Sequence, residues 1–314
     1  MLKQAFRWMS PAGAEARLSV LIFHRVLPAP DFLFPDEIDA RRFDEICGWL
    51  KSWLNILSLD EAVVRLREGT MPAATACITF DDGYADNHHM ALPILQRHGL
   101  SATFFVATGF LDGGRMWNDT IIESVRAYAQ SSLDLSDLGL GRHACGSIEE
   151  RRAAIAMLIG RIKYRAVEER VSITEKIAQL CKVPLPRDLM MTSDEVKVMR
   201  RAGMQIGAHT VSHPILARAT DNQAQEEIQA SKRFLEQLLG ERVGLFAYPN
   251  GKPGEDYKPH HVDMVRSLGF DAAVSTSPGT SGTQDDFFQL RRFTPWDRTK
   301  VRFGARMLFN LRQT

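Results

Sequence analysis

Apolar residues in this chain gather into short unbroken runs, each following an amphipathic stretch and a glycine. The unit recurs as RHG before LSATFFVA (from Arg97), RAG before MQIGAH (from Arg201), LLG before ERVGLFAYP (from Leu238) and SLG before FDAAVS (from Ser267). A glycine just past a helix supplies the left-handed cap, and the apolar run behind it reads as a buried parallel strand. Further strands are expected at 18–23, 75–80 and 288–293. Helix starts are marked at Thr192 and Thr220, each followed three residues later by Glu195 or Gln223 in capping-box spacing. Strands alternating with helices through short connections imply a parallel sheet, and about seven such units imply a closed or nearly closed barrel. The expected fold class is therefore α/β, a distorted (β/α)7-type parallel barrel. Residues 112–190 break the alternation with a mainly helical, charged stretch, read as an insertion decorating a single domain that spans 1–314.

Composition changes this picture little. With 314 residues, 45% hydrophobic and 25% charged, the chain can bury a large core without disulfide or structural-metal staples. A net charge of +1 gives no reason to expect nucleic acid as a partner. The four cysteines stand far apart with no C-x-x-C pair, which argues against a disulfide framework and suits a reducing compartment. The N-terminal stretch is basic but lacks the apolar core of a signal peptide, and 18–23 is too short to span a membrane. Cytoplasmic location is the expectation. The basic, partly apolar stretch from Arg298 to Arg312 reads first as a closing helix; its alternative is peripheral contact with the inner membrane face. Nothing in the pattern speaks to oligomeric state.

Chemistry concentrates in two segments. In Thr79-Phe80-Asp81-Asp82-Gly83 an apolar strand ends directly in two carboxylates and a glycine suited to a tight turn. Parallel α/β barrels carry their catalytic groups where strands end, although an Asp-Asp-Gly turn with capping acids is an equally ordinary use of these residues. In His209-Thr210-Val211-Ser212-His213-Pro214 two of only nine histidines stand four apart, again after a predicted strand. Two imidazoles and one carboxylate would leave metal positions open for water and substrate, as hydrolysis requires.

TFDDGYADN and HTVSHP together resemble the first two motifs of the polysaccharide deacetylase superfamily, the NodB-homology or carbohydrate esterase family 4 group. The resemblance covers the barrel from Leu18 to about Pro295. It implies that Asp81 is the general base and that Asp82, His209 and His213 bind a divalent metal. Zinc is the first choice, although two nitrogens and one oxygen also accept cobalt, nickel, manganese or iron. Tyr248, Pro249 and Asn250, within FAYPNG, resemble the segment that lines the substrate groove. The arginine many members carry there to orient the catalytic aspartate is missing. Arg291 or Arg292 could supply that charge from another strand end, with surface ion pairing as the plainer use of both. The late Leu-x-His motif that brings the general acid is also missing, since no histidine follows His261. His24, ending the first predicted strand, resembles the early histidine that serves as acid in members acting on poly-N-acetylglucosamine.

Trp117 is a candidate aromatic wall for a sugar, and also an ordinary packing residue. His88 and His89 fall at a helix start, where capping or pairing with acids accounts for them. The implied activity is hydrolysis of N-acetyl groups on an N-acetylhexosamine polysaccharide, oligosaccharide or biosynthetic precursor, so an N-acetylated glycan is the expected partner. Two alternatives stand beside it: a sugar-binding barrel without catalysis, and an iron oxygenase with a two-histidine, one-carboxylate centre.

Overall fold

The computed structural model describes residues 2–313. Its central sheet is built from eight strands: β1 (Ser19–Phe23), β2 (Asn55–Ile56), β3 (Thr75–Phe80), β4 (Thr103–Val106), β7 (Gln205–Ala208), β8 (Leu245–Ala247), β9 (Ala272–Val274) and β10 (Arg292–Phe293). Seven of them run in the order β10-β1-β3-β4-β7-β8-β9, all parallel, and β2 adds to β3 off this path. The two ends nearly meet. Ala273 N–H donates to the Phe287 carbonyl, Leu290 N–H donates to the Ala273 carbonyl, and Ser275 N–H donates to the Leu290 carbonyl. The chain then continues into β10, so 287–293 bridges β9 to β1 and makes a nearly closed seven-stranded barrel.

Every residue of β1, β3 and β4 is buried, as continuous apolar runs require when both faces are covered. One face packs on the surrounding helices, where Phe23, Phe80 and Phe104 stack in a row and Phe43 meets the first two edge-on. The other fills the barrel with Val20, Cys77, Phe105, Ala247 and Val274. Close approach of β4 and β7 depends on Gly207, where an added Cβ would sit 2.5 Å from the Phe105 ring. Both predicted capping boxes are formed, at Thr192 with Glu195 and at Thr220 with Gln223.

The expected strand over 288–293 is shorter than its pattern suggested. Asp286 accepts from Phe288 N–H and from the Gln289 side-chain amide, which holds that stretch in a turn and leaves only Arg292–Phe293 as strand. Residues 112–190 fold as three helices, Trp117–Ala127, Ile148–Ile162 and Val167–Cys181, with a small antiparallel hairpin between the first two, β5 (Ser132–Leu135) and β6 (Gly141–Ala144). The hairpin is an element the helical pattern did not announce. The insertion has its own apolar cluster, including Ile121, Leu133, Leu158 and Ile177, and Leu33 from the loop after β1 plugs into it. It thereby roofs the strand ends beside β1. The C-terminal helix Lys300–Asn310 packs Phe303 and Met307 into the outer core. Among the described residues no helix is long and apolar enough to cross a membrane.

Candidate active site

The C-terminal ends of β3 and β7 bring the two motifs together. At the end of β3, Asp81 N–H still donates to the Phe23 carbonyl, and then the backbone turns sharply. Asp82 takes the left-handed conformation (φ +75°) and Gly83 follows at φ +89°. A Cβ on Gly83 would press within 3.1 Å of Val106, so the turn fits only glycine without displacement. Left-handed backbone at non-glycine residues costs on the order of 1–3 kcal/mol and gathers where function holds it in place. Here Asp82, Thr210, His213 and Asn250 all adopt it, and all four belong to the strand-end loops of the site.

Asp82, His209 and His213 offer ligand atoms that lie within 4.8 Å of one another. Asp82 Oδ1 is 3.5 Å from Nε2 of both histidines. That is long for a hydrogen bond, but it is close to the roughly 3.3 Å separating two ligands of one tetrahedral ion at zinc-like bond lengths. His209 Nδ1 is 2.7 Å from the Ala247 carbonyl, which can only accept, so Nδ1 carries the proton and Nε2 keeps a lone pair in the neutral ring. The donor set therefore suits a borderline divalent ion. Burial disfavours a charged His209, yet the pull of Asp82 and Asp81 is stronger and raises its pKa; a proton and a metal compete for the same nitrogen. Burial dominates at His213 and pushes it down to about 3, leaving that imidazole neutral.

Glu227 shapes the loop that presents these rings. Its carboxylate accepts from Val211 N–H and Ser212 N–H, both at 2.8 Å, and from the Ser212 hydroxyl at 2.6 Å.

Asp81 faces a different partner. Arg292 Nη1 and Nη2 donate to its two oxygens at 2.7 and 2.8 Å, and both side chains are almost wholly removed from solvent. Arg292 is itself held by Nε donating to the Ser275 carbonyl at 2.7 Å. Burial alone would raise the Asp81 pKa, but the Arg292 guanidinium, joined by His209 and His24, outweighs it and the carboxyl lies below its usual range. Arg292 therefore stands against Asp81 from another strand end and forms no surface ion pair, which corrects that expectation, and it lies behind the pocket instead of lining it.

The pocket over these groups holds about 280 Å³ and is lined by His24, Asp81, Asp82, His209 and His213, by Trp117 and Asn118, by Lys163 and Arg170, and by Asn250 and Thr276. His24 reaches it from the end of β1, its carbonyl accepting from the Asn87 side-chain amide at 2.9 Å. Trp117 is half-buried in the pocket wall, with the Arg170 guanidinium 5.0 Å from its ring centroid. Of the three FAYPNG residues, only Asn250 lines the pocket. Tyr248 is fully buried, stacks on Tyr257 and donates its hydroxyl to the Phe288 carbonyl, and Pro249 is buried beside it. Tyr248, just past the end of β8, packs on the same side as Phe246 against the outer layer, which corrects its placement as a substrate contact.

Several site residues escaped the sequence reading. Lys163 and Arg170 come from the insertion, where charged helices give no sign of which charge turns inward. Asp119 is another. It is buried, receives the Tyr84 hydroxyl at 3.2 Å, leaves Oδ2 without a partner, and is pushed up by burial to about 7. The folded state then binds this proton more tightly than the unfolded chain does, so stability falls as pH rises from about 4 to 7 and levels off above. Asp119→Asn should flatten that fall in the metal-free protein. Its stability gain over the parent at pH 8 should be up to about 4 kcal/mol, read by urea unfolding at a series of pH values; equal slopes for the two proteins would show that Asp119 is ionised throughout.

A two-histidine, one-carboxylate centre beside a clamped aspartate, at the strand ends of a nearly closed parallel barrel, defines a class of protein. The chain belongs to the polysaccharide deacetylase family, whose model matches residues 68–136 and 150–273. Among curated proteins it is similar to YxkH of Bacillus subtilis (strain 168), assigned by name to the polysaccharide deacetylases, with 21% identity over 279 residues, 88% of this chain and 71% of that protein. Among solved structures it resembles the Streptococcus pyogenes deacetylase PplD in complex with acetate (TM-score 0.62, 18% identity, 94% of this chain and 98% of that one). It also resembles IcaB from Ammonifex degensii (TM-score 0.60, 18% identity, 94% and 97%). At such identities the structural likeness speaks to fold.

Proposed function

We propose that the protein is a metal-dependent carbohydrate N-deacetylase, hydrolysing the acetamido group of an N-acetylhexosamine within a glycan or its precursor. The observation that carries this is the pairing of two differently prepared aspartates at one strand end. Asp82 points to a ligand cluster with His209 and His213, whereas Asp81 is kept ionised by Arg292 within the same pocket. A sugar-binding barrel would have no use for a buried carboxylate held in its basic form. An iron oxygenase shares the ligand set but gives that carboxylate no task.

Asp82, His209 and His213 would hold the ion. When bound, a divalent metal brings the pKa of water toward roughly 7 and polarises a carbonyl oxygen. Asp81 accepts the proton of the attacking water, and Arg292 fixes the carboxylate so that its oxygens meet that water in one orientation. Trp117 and Asn250 hold the sugar over the aspartates. The departing amine needs a proton, and His24, across the pocket, donates it. A positioned general acid contributes about 10²- to 10⁴-fold, so His24→Ala should lose most turnover at unchanged metal content. Normal turnover in that variant would assign the acid elsewhere.

Acetate release from N-acetylglucosamine oligomers, by protein of measured metal content with and without added zinc, tests the whole reading. Release is expected to need metal and to vanish in Asp81→Ala. Metal-loaded protein that releases nothing from any acetylated hexosamine would refute deacetylation.

The family relatives are named for acting on polysaccharide, which supports a polymeric or oligomeric glycan as the substrate. IcaB and the Bordetella bronchiseptica BpsB deacetylase domain share the fold, and the early histidine at position 24 is the feature that aligns this chain with a poly-N-acetylglucosamine substrate. Zinc remains the first choice of metal.

A further inference from the structure

Just beyond the first motif, the helix opens into a π-turn over Asn87–Ala91. In an α-helix consecutive side chains point about 100° apart and seldom share a ligand. Within this turn the His88 and His89 rings lie side by side, centroids 5.0 Å apart and planes at 68°. Such turns are frequent at functional sites. Both rings face one oxygen of Glu195: His88 Nδ1 is 3.4 Å from Oε1 and His89 Nε2 is 2.6 Å from it. The three ligand atoms lie within 4.8 Å of one another.

The capping box leaves this oxygen available. Glu195 Oε2 accepts from Thr192 N–H at 2.7 Å and keeps the start of the helix Ser193–Arg201 in place, while Oε1 makes no backbone bond. His88 Nδ1 is buried and has no hydrogen-bond partner, a costly condition for a polar atom. Burial also lowers the His88 pKa, so the ring is neutral. A cation between the rings would satisfy both the stranded nitrogen and the carboxylate oxygen.

The spacing fits. Ligands of one tetrahedral ion at zinc-like bond lengths stand roughly 3.3 Å apart, which the His88–Glu195 separation already meets. His89 must draw back by roughly 0.7 Å to reach that spacing, and its half-exposed side chain has room to do so. The proton now on its Nε2 would move through water to Nδ1, so that the neutral ring can offer its Nε2 lone pair.

A third group, Asp221 with His260 and His261, fails on the same chemistry. His261 Nδ1 accepts from Lys258 N–H at 3.0 Å, so Nε2 of the neutral ring carries the proton and has no lone pair to give.

We propose that His88, His89 and Glu195 form a second divalent-cation site, for zinc or a similar borderline ion, separate from the Asp82 centre. Asn87, adjacent to it, donates to the His24 carbonyl. The ion would therefore tie the helix Ser193–Arg201 to the segment that steadies His24.

The test counts zinc per chain after dialysis against excess zinc, independently of activity. Two ions are expected in the parent, one in Asp82→Ala, one in His88→Gln/His89→Gln and none in the combined variant. Single His89→Gln, at an exposed position, should weaken the second zinc at least about tenfold, the low end even for groups beyond the ligands themselves, with its metal-free unfolding midpoint unchanged. Zinc should raise the melting temperature of Asp82→Ala and not that of the combined variant. A count that drops in Asp82→Ala but stays at the parent value in the histidine variant overturns the second site and leaves the catalytic ligands standing. The opposite pattern upholds the second site and removes Asp82 from the first.

Discussion

Replacing Asp82 should abolish turnover and empty the active-site metal position in one step. Asp82 Oδ1 is the atom both imidazoles share, and without it two buried nitrogens are a poor trap for a dication. Losing the metal forfeits several kcal/mol of transition-state stabilisation, a fall in rate of about a thousandfold or more. Measured in a His88→Gln/His89→Gln background, the expected zinc content is one ion per chain before the change and none after. Asp82→Asn is the sharper variant, because asparagine tolerates the left-handed backbone observed at this position and keeps the shape while giving up the anionic oxygen. Stoichiometric zinc in that protein would mean the carboxylate is not a ligand.

Arg292→Met should give the largest loss of stability. Removing one partner of a buried ion pair costs about 3–5 kcal/mol, because the remaining charge is stranded. Asp81, 3% exposed, would keep the desolvation that raises its pKa and lose the guanidinium that offsets it. Its pKa should therefore rise. The destabilisation would be greatest above the new pKa, where the carboxylate must ionise unpaired, and smaller at acid pH, where protonation relieves it. Urea unfolding at several pH values checks this, and a deficit independent of pH would show that Asp81 is not the group affected. In activity, the acid limb of the pH–rate profile should move to higher pH, since the base is protonated over a wider range. Arg292→Lys should restore charge but not the two-pronged grip, recovering stability more fully than rate.

These two residues also mark how far pattern reading reaches. Asp82 was legible because a strand-ending acid pair is local, as were the histidines four residues apart that share its site. Arg292 was legible only as one of two candidates beside Arg291, because Asp81 lies 211 residues away and only the neighbouring of β10 and β1 at barrel closure brings their ends together. The missing arginine of the FAYPNG segment is thus matched by a charge from another strand end. Tyr248 and Asn250 differ in the same way. They are two residues apart, yet the strand directs one into packing with Tyr257 while the left-handed turn at Asn250 brings the other to the pocket.

The sequence by itself determined most of the barrel's elements and set its acid pair and its histidine pair at strand ends. Apolar runs with a residue-by-residue period, glycine caps and capping boxes are short-range signals, and a metal-binding motif at a strand end is one too. Only the tertiary structure decided the partners. Which charge neutralises Asp81, which insertion side chains face the pocket, and why His88 and His89 converge on Glu195 all depend on contacts between segments distant in the chain, and these exist only once burial of the barrel has chosen which faces turn inward.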